Sequence, residues 1–351
     1  MDETVMIDDH ELVQKAKVLA TRDERGLVVQ ALLEFEEDTK PAHDEFTMWS
    51  ALALPLLVLI SRPTNESQTE TDCDLFINLA RRHLGCLLKH APRSPETGAI
   101  SSSLSELNVS ALSIFTVVPF LGWSSLCLYE HQTLPEAVVA LRAYMTELRT
   151  SGPLLLDTVC AHCSSTNNSP AASHPRCACV RRPTALGNAL AVAGILRLLG
   201  VLLLVSRDPT NNETEMGWDD WSIADSVRFE ANRLLADILP ILHHSPRACA
   251  SVDQETNLIR AVLDDKTSPP DVGATALLVA DVYHLAMLCP EAVSDDHLAW
   301  AAEHYDAVTR WVDDEPDGEI RRRAGEPSCM TYCCILMMMG ARRKFGLLEV
   351  K

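Results

Sequence analysis

Residues 56–67 read Leu-Leu-Val-Leu-Ile-Ser-Arg-Pro-Thr-Asn-Glu-Ser, and 202–214 read Leu-Leu-Leu-Val-Ser-Arg-Asp-Pro-Thr-Asn-Asn-Glu-Thr. With Asp208 and one Asn counted as short insertions, the two segments nearly coincide. Each is followed by an acidic, Thr-rich stretch and then an amphipathic helical pattern. In the first copy Phe76, Leu79, Ala80, Leu84, Leu87 and Leu88 recur at helical spacing; in the second Ile223, Val227, Ala231, Leu234, Leu235, Ile238 and Leu242 do so. Two further pairs keep the order. Ser110-Ala111-Leu112 and Thr275-Ala276-Leu277 open apolar helices, and Pro135 to Leu148 matches Asp296 to Val312 more weakly. The separation grows from about 145 to about 162 residues, far beyond the 20–50 residues of a short-unit solenoid. This pattern predicts an all-α fold of two pseudo-equivalent multi-helix units, an internal duplication of about 150 residues each, packed as a helical-repeat-like array.

Composition agrees with packed helices. Hydrophobic residues make up 47% of the 351 and aromatics only 5%, so leucine and alanine must fill the core. Strand alternation and Asn-Gly hairpin signals are absent over any useful length. The chain divides into acidic N-terminal helices at 1–45 that pack on the first unit, a first unit at 46–150, a Cys/Ser/Pro-rich linker at 151–183, and a second unit at 184–351 with a basic C-terminal segment. Thr133-Leu134-Pro135-Glu136 has the form of a capping box.

Two stretches, 111–128 and 184–205, are apolar enough to compare with membrane spans. Arg197 near the middle of the second, and Pro119 with several serines in the first, favour buried core helices. The expectation for Arg197 is a carboxylate partner or a route to the surface, because an unpaired buried guanidinium is costly. A net charge of −19 argues against a main surface that grips phosphates, so neither nucleic acid nor membrane is the expected partner.

The N-terminal ten residues are acidic and lack the basic and apolar regions of a signal peptide. Twelve cysteines then read as reduced thiols of a cytoplasmic or nuclear protein. Cys160-Ala161-His162-Cys163 is followed after thirteen residues by Cys177-Ala178-Cys179. Four thiolates can surround zinc tetrahedrally, so Cys160, Cys163, Cys177 and Cys179 are the candidate ligands of a structural zinc, with free linker thiols as the alternative. The second half-site is one residue shorter than the usual spacing.

No phosphate-cradling glycine loop, nucleophile elbow or zinc-protease helix occurs, and no catalytic residue is singled out. The paired acids, Asp219-Asp220 and Asp264-Asp265 among them, flank predicted helix ends and read as capping or solvated groups. These observations lead to a non-enzymatic scaffold or regulatory protein that binds a protein partner between the two units. Two alternatives stand beside it. One is an all-α enzyme with an acidic site at the unit interface, using groups such as Asp219 and Asp220. The other is a helical domain similar to the regulatory region of fungal zinc-cluster transcription factors. The Cys-x2-Cys-x6-Cys DNA-binding module of that family is absent from this sequence.

Overall fold

The computed structural model describes residues 50, 70–102, 108–130, 132–160, 182–207, 221–247, 252–313, 324 and 328–349. Among these, eight α-helices carry the fold: α1 Glu70–His90, α2 Ala111–Cys127, α3 Thr133–Glu147, α4 Ala185–Arg207, α5 Trp221–Arg247, α6 Val272–Leu288, α7 Asp295–Asp313 and α8 Cys329–Glu349. Two short strands, β1 Asn108–Ser110 and β2 Thr158–Cys160, pair antiparallel.

The helices alternate between two kinds. In α2, 13 of 17 residues are buried, and in α6, 14 of 17, whereas α7 buries 5 of 19. A helix apolar all round must be enclosed; one with a single apolar stripe lies outside with its polar face in water. The packing follows. Inner helices α2, α4 and α6, with α8 beside them and exposed along one side at Tyr332, Leu336 and Leu347, form a row in which each touches the next, and α3, α5 and α7 each cover the helix of the row that precedes them.

The inner helices run parallel, with their starts on one face. Ser110 pairs with Thr158, and the Ala111 amide donates to the Asp157 carbonyl at 2.9 Å. One helix along, Thr184 bridges Val262 and the Ala185 amide donates to the Ala261 carbonyl, also at 2.9 Å. At the next step, a Cβ on Gly273 would meet the Thr331 backbone at 3.3 Å, which brings the starts of α6 and α8 together.

Helix α4 is long and apolar enough to cross a bilayer, yet 67% of that window is buried inside the protein. Its apolar surface goes into packing against α2, α5 and α6, as the sequence predicts. Residues of the predicted first and second units contribute to one continuous core that runs from Ala80 to Ala341.

The all-α expectation holds, and most helix positions match within a few residues. The duplication is a different matter. Alternating inner and outer helices repeat an apolar-then-amphipathic pattern at every hairpin, so the recurrence does not itself show a doubled four-helix unit. The shared Ser-Arg-Pro-Thr-Asn segment falls largely outside the described residues, as do the helices expected before residue 50.

One likeness did escape the sequence reading. The turns Ser94–Gly98 and Asp253–Asn257 close in the same way: the Gly98 amide donates to Ser94 at 2.8 Å, and the Asn257 amide to Asp253 at 2.7 Å. Each has a left-handed fifth residue, Gly98 at φ 80 and Asn257 at φ 58, the conformation that glycine and asparagine tolerate best. One smaller expectation changes. Thr133 is buried and donates its hydroxyl to the Glu130 carbonyl at 2.7 Å instead of capping α3, since Gln132 holds the cap position.

Candidate active site

The inner helices should carry only apolar side chains toward one another, and at one level they do not. Arg197 of α4 sits with its guanidinium carbon 4.0 Å from the centre of the Phe115 ring on α2. One of its terminal nitrogens donates to the Phe115 carbonyl at 3.4 Å, and the other lies 4.0 Å from the Met337 sulfur on α8. Facing this charge from α6 is Asp281, which is wholly buried. Neither of its carboxylate oxygens has a hydrogen-bond partner among the described residues. One arginine therefore draws side chains from all four helices of the row to a common level.

The electrostatics follow from burial. Loss of water raises the Asp281 carboxyl well above its ordinary range, with the Arg197 charge pulling the other way. The same burial lowers the Arg197 guanidinium to about 10, so it stays cationic at neutral pH, helped by Asp281. His284, one turn after Asp281, is pushed down to about 4 by burial and then by the charges of Arg197 and Lys344. The Cys334 thiol on α8 is pushed up to about 12 by burial, then by Asp271, Asp281 and Cys333.

Above this level, at the starts of the inner helices, two more acids have raised pKa values. Asp271 caps α6, accepting from the Ala274 amide at 2.9 Å, and burial outweighs that bond. Asp157 approaches the start of α4 so closely that a Cβ on Gly187 would stand 2.7 Å from its carboxylate oxygen. Ten residues along one helix place Asp271 and Asp281 about 15 Å apart. That separation is too wide for the two carboxyls to act together on one bond. The deep site sets one buried carboxyl, its pKa raised by burial, opposite one cation.

The residues named from sequence fare differently. Arg197 was expected to find a carboxylate or a route to the surface, and the structure sets Asp281 opposite it without a direct ion pair. Asp219 and Asp220 lie outside the described residues. Asp265 pairs with Arg182 at 2.9 Å and accepts from Thr267, a loop-closing role. Cys160 ends β2, while Cys163, Cys177 and Cys179 lie outside the described residues. No group of three or more metal-binding side chains assembles among the described residues. The missed signal was Asp281, the lone carboxylate within the apolar run 272–288.

No protein-family model matches the sequence, and no match was found among curated proteins. Solved structures do resemble the fold. A possible GH105-family member from Klebsiella pneumoniae aligns over 96% of this chain and 82% of its own, with a TM-score of 0.60 and 13% identity. One from Salmonella enterica aligns over 99% and 97%, with a TM-score of 0.59 and 14% identity. An unsaturated glucuronyl hydrolase specific for heparin aligns over 98% and 88%, with a TM-score of 0.58 and 10% identity.

This corrects the reading as a non-enzymatic, protein-binding scaffold, because the architecture is one that enzymes use. The absence of short catalytic motifs misled that reading. In a helical barrel, groups that meet come from helices far apart in sequence, and no local spacing records them. The likeness shows the fold, a helical barrel of the kind these structures share.

Proposed function

We propose that this chain is a carbohydrate-active enzyme that acts by proton transfer from Asp281 on an acidic, unsaturated sugar. The observation that carries the reading is Asp281 itself, a carboxyl whose burial favours the protonated acid, facing the cationic Arg197. Burying a polar group without a partner costs free energy, and such costs concentrate where chemistry needs them. An unsaturated glucuronyl residue presents two matching groups, a vinyl ether that accepts a proton on carbon and a carboxylate that a guanidinium binds.

In the proposed step the Asp281 proton goes to the carbon of the double bond remote from the ring oxygen. The π bond breaks, a C–H bond forms, and the positive charge rests on the carbon beside the ring oxygen. Water adds there, and its proton returns to the Asp281 carboxylate. Asp281 is enclosed, so the proposed step requires the packed helices to part and admit the sugar. Cytoplasm or nucleus remains the proposed compartment, supported by the free thiols of Cys86, Cys127, Cys289, Cys333 and Cys334.

The test is incubation with sulfated and unsulfated unsaturated glucuronyl disaccharides, followed by the ultraviolet absorbance of the double bond. The absorbance should fall in catalytic excess over protein, and Arg197→Gln should raise KM more than it lowers kcat. Unchanged absorbance with every such disaccharide would overturn the assignment.

A further inference from the structure

On the outside of the fold, between α3 and α5, a cavity of about 470 Å3 opens, lined by none of the residues of the Arg197–Asp281 level. That volume lies within the roughly 300–1,000 Å3 of small-ligand pockets. Its floor is apolar, formed by Val138, Leu141 and Met145 of α3 with Leu234 of α5. Three arginines line it in a chain whose net charge is −19.

The arginines are not equivalent. Arg142 is committed to Glu230, an ion pair that ties α3 to α5. Arg149 and Arg233 have no ion pair among the described residues, although both line the cavity. The remaining acid is Asp237, one turn from Arg233 on α5, and the two do not pair. With Arg142 neutralised by Glu230, two free cations face one free anion, which leaves one surplus positive charge over an apolar floor.

We propose that this cavity binds a small organic monoanion with an apolar body, such as an aromatic carboxylate or sulfonate. Its ring lies on Leu141, Met145 and Leu234, and its anionic group is held by Arg149 and Arg233. Asp237 opposes a second negative charge and so sets the preference for a monoanion. The site is separate from the inner helices, and its occupation does not depend on the chemistry proposed for Asp281.

The test uses the full chain and 1-anilinonaphthalene-8-sulfonate, an anionic apolar fluorophore, with 1-naphthoate as a non-fluorescent competitor. Wild-type protein should bind one fluorophore per chain, displaced by naphthoate and weakened by salt, because the charges are exposed. Arg149→Gln and Arg233→Gln should each weaken binding about tenfold, the scale of one charge-assisted contact. Asp237→Asn should tighten it several-fold. Thermal melts confirm that each variant is folded. Equal affinity in wild type and both arginine variants would overturn the proposal, as would weaker binding by the folded Asp237→Asn variant.

Discussion

Gly194 of α4 lies so close to Ile114 of α2 that a Cβ built on it would stand 2.2 Å from the Ile114 carbonyl oxygen. Two inner helices therefore touch backbone to backbone, one turn from the residue that carries the site. The obstacle is main chain, which cannot rotate away. Gly194→Ala should cost about 3 kcal/mol, the upper part of the range for overpacking, by denaturant unfolding. Gly200→Ala is the control. Its nearest neighbour would be Leu288 at 3.9 Å, ordinary contact, so helix propensity should leave it neutral or up to about 1 kcal/mol more stable.

His83 of α1 packs against Phe120 with ring centres 4.9 Å apart and shares a hydrogen bond with the Ser50 hydroxyl at 3.3 Å. Burial pulls its pKa down to about 3, below the 6.5 of an exposed imidazole. The unfolded chain then binds a proton that the folded chain refuses, so stability is present above pH 6.5 and drains away as pH falls toward 3. His83→Gln should flatten that part of the stability curve. Equal slopes for the two proteins over the window would contradict the burial argument.

Asp281 acts in the opposite direction. Its folded pKa lies above the ordinary 3.8, so its contribution is complete below that value and is lost as pH rises through the folded pKa. Asp281→Asn replaces a carboxylic acid with a neutral group of the same shape. The variant should equal the wild type at low pH and become relatively more stable as pH rises. Urea unfolding of both proteins at several pH values reads this difference directly.

The cysteine segment makes a separate prediction. If Cys160, Cys163, Cys177 and Cys179 hold zinc, purified protein carries about one metal per chain in a tetrahedral sulfur site, and a Cys160→Ser, Cys163→Ser double variant loses it. Elemental analysis with thiol alkylation decides the matter. Metal-free protein whose four thiols alkylate at once would exclude the site.

Much of the fold was legible because helices advertise themselves locally. The run 184–205 and the stripe from Ile223 to Leu242 each declare their burial within two or three turns, and α4 and α5 lie there. The site was not legible for a geometric reason. Phe115, Arg197, Asp281 and Met337 meet only because four parallel helices bring them to one level, and more than eighty residues separate Arg197 from Phe115 and from Asp281. Arg197 was conspicuous alone, as a cation inside an apolar run. Asp281 carried the same signal and went unread, because its neighbours Ala280, Val282 and Tyr283 look like any other core segment.

The account rests on Asp281 delivering a proton, and one comparison tests that most directly. Steady-state turnover of an unsaturated glucuronyl disaccharide is measured for wild type and Asp281→Asn, with thermal unfolding of the same samples alongside. The account predicts that the variant melts at or above the wild-type temperature and loses at least a hundredfold in kcat, the lower end of what a positioned general acid contributes. A stable Asp281→Asn variant that turns over at the wild-type rate would contradict it.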